Sequence, residues 1–123
     1  QLVLTGIKDG FYAGISPELA LNHLIGSDKA NFTYLLKLAY GTASSNLPAH
    51  YQVNGISEPS LKMQTNRQIL TKIYYLLKTV ALREGRKEFC FRLAQYLGEV
   101  EGVHIVTKIR KPYIQLLLEK VFL

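Results

Sequence analysis

Apolar residues recur at spacings of three and four along much of this chain, and glycine and proline cut the runs into helix-sized pieces. Residues 1–15 lack that period and read as an extended or turn-rich arm around Asp9-Gly10. Ser16-Pro17-Glu18 predicts a helix start, with Ser16 as N-cap and Pro17 at the first helical position. Leu19, Ala20, Leu21, Leu24 and Ile25 supply its apolar face, and Gly26 stops it. Ser27 or Asp28 is expected to cap a second helix carrying Phe32, Leu35, Leu36 and Ala39, which Gly41 ends.

Residues 42–58 then read as a long loop, because Thr42, Ser44, Ser45, Asn46, Pro48 and Asn54-Gly55 crowd together there. The third helix is the clearest element, over residues 59–83. Ile69, Leu70, Ile73, Leu76, Leu77 and Val80 make one stripe along it, and Gly85 breaks it. A fourth helix is predicted over 86–97, with Phe89, Cys90, Leu93 and Leu97 inward and Gly98 as its stop. Residues 103–110 fit either a β-branched strand or a penultimate helix, and Pro112 opens a last apolar helix over 113–122. The class expected is all-α, a compact bundle of five or six helices with a long basic third helix. An α+β fold with one small hairpin, pairing the arm with 103–110, is the minority alternative.

A chain of 123 residues suits one domain, here the whole of 1–123. No run of about 18 consecutive apolar residues occurs, so no membrane span is expected. The first residues lack the basic and apolar regions of a signal peptide, and the lone Cys90 fits a reducing compartment; together these point to the cytoplasm.

Charge changes the picture. Residues 1–50 balance three lysines against three carboxylates, whereas 51–123 carry twelve Lys or Arg against six Glu. Between Lys62 and Arg92, eight basic residues face only Glu84 and Glu88. That asymmetry on a helix is the footprint of a surface for a polyanion. On a helical wheel, Gln64, Gln68, Thr71, Tyr75 and Lys78 lie opposite Ile73 and Val80, with Arg67, Tyr74, Lys72 and Arg83 at the borders. Phosphates accept hydrogen bonds from all these polar types without regard to sequence, and tyrosine rings stack on unpaired bases. Arg83, Arg86 and Lys87 form a second cluster at the helix break, with Arg92 beyond it. Lys108, Arg110 and Lys111 form a third before Pro112. The candidate contacts are therefore Arg67, Lys72, Tyr75, Lys78, Arg83, Arg86, Lys87, Arg92, Lys108 and Arg110. A merely solvated basic face is the competing reading.

Catalysis finds little support. His23, His50 and His104 stand in separate regions without metal-ligand spacing, and no cofactor motif appears. Cys90 lies between Phe89 and Phe91 on a core-facing stripe, where a free cysteine is packing. Glu99 and Glu101, two residues apart, do not share a helical face. The expectation is no enzyme.

With its size, its charge, the long basic helix over 61–83 and the helix over 86–97 that follows, the chain resembles the small helical subunits of CRISPR effector complexes. The type I-D form, made as a separate chain from the C-terminal domain of the large subunit, is similar in kind. The resemblance implies a non-catalytic subunit stacked with copies of itself and other subunits in a ribonucleoprotein complex. Its basic residues would hold the guide–target duplex or the displaced strand by backbone contacts, RNA or DNA, without reading sequence. The alternatives are a helical subunit docking an acidic protein, or a winged-helix-like DNA reader using 103–110 as its wing strand.

Overall fold

The computed structural model describes residues 9–10, 31–54 and 61–123. Within them the chain is all-α: helix α1 spans Phe32–Asn54, α2 Asn66–Leu76, α3 Arg86–Thr107 and α4 Tyr113–Phe122. A single π-helical turn, Leu77–Ala81, continues α2. The helix predicted around Leu19–Ile25 and most of the arm lie outside the described residues; Asp9-Gly10 is the expected turn, with Gly10 at φ 91°.

The long loop expected over 42–58 is not there as far as residue 54, because α1 runs unbroken through Gly41 and Pro48. Ser44 and Ser45 turn their hydroxyls back onto the carbonyls of Gly41 and Thr42, both at 3.0 Å, so they satisfy themselves inside the helix. Asn31 caps the helix rather than Ser27 or Asp28, its Oδ1 accepting from the Tyr34 N–H at 2.8 Å. Gly98 likewise does not stop the fourth helix. Helix α3 continues to Thr107 and ends at Lys108, which takes the left-handed conformation at φ 60°. Residues 103–107 are therefore helical, and both the hairpin and the wing strand lose their segment.

The continuation of the helices past Pro48 and Gly98 has one cause. Helices α1 and α3 form the main packing pair of the structure, and where they come closest the contact is between small residues and backbone. A Cβ on Gly98 would collide with the Tyr40 carbonyl oxygen and stand 2.8 Å from the Ala43 Cβ. A Cβ on Gly102 would stand 3.1 Å from the Ser44 carbonyl oxygen and 3.5 Å from the Leu47 Cβ. Pro48 has no N–H to offer that Ser44 carbonyl, so the helix interior loses one bond there, and the bare Gly102 leaves the oxygen unobstructed. Ala94, Gly98 and Gly102, four apart, thus form one face of α3 seated against α1. Leu36, Ala39 and Ala94 are buried at this seam, with Cys90, Phe91 and Leu123 packed against them.

Helix α2 begins at Asn66, later than the sequence pattern suggested, because Thr65 and Gln68 close a capping box. The Gln68 N–H donates to Thr65 Oγ1 at 3.2 Å, and the Thr65 N–H donates to Gln68 Oε1 at 2.8 Å. Its buried residues are Ile69 and Leu76, whereas Leu70 and Leu77, expected inside, are exposed. Gly85, at φ 93°, makes the expected break and reverses the chain into α3.

A polar knot fastens α4. Gln115, 0% exposed, donates from Nε2 to the Leu97 carbonyl oxygen at 2.9 Å and to Glu119 Oε1 at 2.6 Å. The Tyr40 hydroxyl donates to the same Glu119 oxygen at 3.0 Å. Lys111 bridges Glu119 Oε2 at 2.9 Å and Glu101 Oε2 at 2.5 Å. The knot joins α1, α3, the 108–112 connection and α4 in one set of charge-assisted bonds. The Asn66 side chain adds a tie by accepting from the Ile114 N–H at 3.1 Å, so the start of α2 caps the start of α4.

Two predictions follow from this packing. Gly98→Ala should lower the melting temperature by the equivalent of about 1–3 kcal/mol, since α1 and α3 must part to admit a methyl group. Gly41→Ala, on the open side of α1 with nothing within 4 Å, should raise stability by about 1 kcal/mol through helix propensity alone. Thermal denaturation of both variants checks the pair; equal effects would mean that the close approach carries no energy.

The knot makes stability fall at alkaline pH. Burial lowers the Lys111 value, but hydrogen bonds and charges from Glu101 and Glu119 outweigh it, so the ammonium titrates above its ordinary 10.5. Its contribution is whole below 10.5 and is lost as pH rises through the higher folded value. Burial, then the negative charge of Glu119, raises the Tyr40 hydroxyl above its ordinary 10.0. The unfolded chain ionises this phenol first, so Tyr40 also favours unfolding once pH passes 10.0. The melting temperature should therefore drop above pH 10.0, and Tyr40→Phe should make that drop shallower.

Candidate nucleic-acid interface

The turn at Gly85 brings α2 alongside α3, and a groove of about 840 Å³ opens on one side of the pair. Gln64, Thr65, Arg67, Gln68, Thr71, Lys72 and Tyr75 form one wall, and Tyr96 and Glu99 on α3 form the other. The capping box fixes the register of the first wall. It sets the phase of the helix so that Gln68, Thr71, Lys72 and Tyr75, at steps of three and four, share a face. The Thr71 hydroxyl is engaged with the Arg67 carbonyl oxygen at 2.9 Å, and Thr79 bonds the Tyr75 carbonyl oxygen at 2.7 Å.

Lys72 sits at the centre. Its ammonium lies 5.9 Å from the Tyr75 ring centroid and 5.8 Å from that of Tyr96. Each cation–π contact at an exposed position is worth about 0.5–1 kcal/mol, enough to orient a flexible side chain but not to lock it. Burial and the neighbouring Glu99 carboxylate hold the Tyr96 hydroxyl above its ordinary value of 10.0, so this wall presents a neutral phenol.

Three of the residues expected from sequence, Arg67, Lys72 and Tyr75, are brought together here. Lys78 is exposed on the π-helical turn, Arg83 on the following turn, and Arg86 and Lys87 on the first turn of α3. Among the described residues, none of these six cations stands within ion-pair distance of a carboxylate. Arg92 differs, because its Nε pairs with Glu88 Oε1 at 2.7 Å, one helical turn back. Lys108 and Arg110 are exposed near the end of α3 and do not line the groove, while Lys111 is spent on the polar knot.

Sequence reasoning missed Thr65, the cap at the start of the first wall, and the whole second wall, Tyr96 and Glu99. Nothing in the local pattern of the last two marks them, and only the reversal at Gly85 sets them opposite Lys72 and Tyr75. Among the described residues no group of three His, Cys, Asp or Glu side chains is placed to hold a metal ion, and no helix is long and apolar enough to cross a membrane.

The chain matches no family model, no curated protein and no solved structure.

Thr65→Ala tests how the groove wall is built. Loss of the capping box should cost about 1 kcal/mol and speed amide exchange in the first turn of α2, with α3 unaffected. Hydrogen exchange followed by mass spectrometry resolves the two helices; equal deprotection of both would mean that the cap supports the whole fold rather than this wall.

Proposed function

We propose that this chain is a non-catalytic subunit that grips the sugar–phosphate backbone of a nucleic acid without reading its sequence. The observation that carries the reading is the state of the cations. Arg67, Lys72, Lys78, Arg83, Arg86 and Lys87 are exposed and without a carboxylate partner among the described residues. Glu88 and Arg92 balance each other at i, i+4, whereas this basic surface has no such balance of sign. Six unpaired cations from one helical hairpin repel one another, and a polyanion relieves that repulsion while releasing its own counterions.

The setting proposed is a ribonucleoprotein effector complex of the CRISPR kind, in the cytoplasm, where such a subunit steadies the guide–target duplex or a displaced strand. Contacts with other subunits or with copies of the chain have their own support in α4. Tyr113, Leu117 and Val121, at steps of four, all face outward, and Val121 is 75% exposed. An acidic protein would satisfy the same cations. The amide groups of Gln64 and Gln68 beside Arg67 and Lys72 add neutral donors to the cations, a mixture that phosphate oxygens accept from.

Replacing Arg67, Lys72 and Lys78 together by Ala should weaken binding to unrelated oligonucleotides alike. It should flatten the dependence of log affinity on log salt by about two to three units and leave the melting temperature within about 1 kcal/mol of the parent. Fluorescence anisotropy across a salt series measures the first two. Unchanged affinity in the triple variant would remove this face from the proposal.

A further inference from the structure

We infer that the groove between α2 and α3 is a slot for one unpaired nucleotide, so that the chain prefers a single strand to a duplex. This rests on the nucleic-acid reading above and adds the state of the strand and the role of the rings. Backbone contact alone needs only cations on a surface. This groove holds two tyrosine rings turned toward one point, the Lys72 ammonium, at 5.9 and 5.8 Å from their centroids. Tyr75 is 58% exposed, and a ring that open has an apolar face available to a base. Bases of a duplex are already stacked on their neighbours and present only edges, so they gain nothing from these rings.

The charges orient the guest. Among the described residues, Arg67 and Lys72 are the cations of the groove and Glu99 is its one carboxylate. A phosphate against Glu99 is repelled, whereas a base turns its N–H groups toward that carboxylate. The nucleotide therefore lies with its phosphate on Arg67 and Lys72, its ring against Tyr75, and its donor edge toward Glu99. Lys72 leaves its place over the rings to meet the phosphate. Four methylenes give it the reach, and the base takes over the ring face that the ammonium gives up. Gln68 and Thr71, on the same wall, contribute amide and hydroxyl groups that suit the sugar.

The test titrates the whole chain with a short mixed-sequence single strand and with a duplex of equal length, at one ionic strength, by anisotropy. The parent should bind the single strand on the order of tenfold more tightly than the duplex. Tyr75→Leu should lose about that factor for the single strand and leave the duplex unchanged. Tyr75→Phe, which keeps the ring and drops the hydroxyl, should retain the preference. Lys78→Ala should weaken both forms equally. Because Tyr75 is exposed, these variants keep the fold, and circular dichroism verifies it. Equal binding of the two forms with no loss in Tyr75→Leu would overturn the slot and leave backbone gripping standing. Loss in Tyr75→Phe equal to that in Tyr75→Leu would assign the effect to a phenol–phosphate bond and also overturn it. No binding of either form at low salt would sink both readings.

Discussion

Everything described depends on how closely α1 and α3 approach. Two long helices whose faces carry leucines sit about 10 Å apart, and the gap between them is filled by side chains. Here Gly98 and Gly102 remove that filling, and the Tyr40 and Ser44 carbonyls stand where side chains would be. Packing against backbone exchanges apolar volume for many short contacts, and those contacts are intolerant of even one methyl group. Helix propensity disfavours glycine in a helix interior by about 1 kcal/mol each. Two such residues four apart, both at the crossing, show that the close approach outweighs the local preference.

Beside the apolar core of Ile69, Leu93, Leu97 and Val100, polar groups fasten the last helix. Helix α4 has a strongly apolar sequence, yet the residue it buries fully is Gln115. Its Oε1 has no hydrogen-bond partner among the described residues, a desolvation cost of about 1–3 kcal/mol. The Nε2 bonds to the Leu97 carbonyl oxygen and to Glu119 offset this, and the first of them, with the Tyr40–Glu119 bond, fixes one register of α4 on its neighbours. Slipping the helix by a turn would part Gln115 from the Leu97 carbonyl and Glu119 from Tyr40 and Lys111, leaving buried polar groups short of partners. Specific polar bonds thus do what a greasy stripe alone does poorly: they define position along the axis.

The all-α class was legible because apolar spacing survives in most elements, and the caps and breaks at Gly85 and Pro112 act through local backbone geometry. Gly41, with nothing near its open side, is carried inside α1 by the packing of its neighbours, whereas Gly98 was misread because glycine carries two meanings. It stops helices in isolation, and it also permits contact between them. Ser44, Ser45 and Pro48 look like loop residues for the same reason, since a sequence window shows their turn preference but not the partner helix that overrides it. The basic half of the groove was visible, as Arg67, Lys72 and Tyr75 lie within nine residues on one helix. Its other wall was not, because Tyr96 and Glu99 join it only through the chain reversal.

Helix α3 therefore divides two different kinds of surface. At 100° per residue, Ala94, Gly98 and Gly102 lie on one sector and meet α1, while Tyr96 and Glu99 fall on another and meet the groove. The first sector is bare and rigid, with its tolerance measured in tenths of an ångström. The second carries an aromatic ring and a carboxylate that line the groove. Rigidity on the first side fixes the position of the second, because both sectors belong to one helix and move together. Glycine-to-backbone contact on its far side limits how close α3 can come to α1, and so the small-residue seam sets where the second wall of the groove stands.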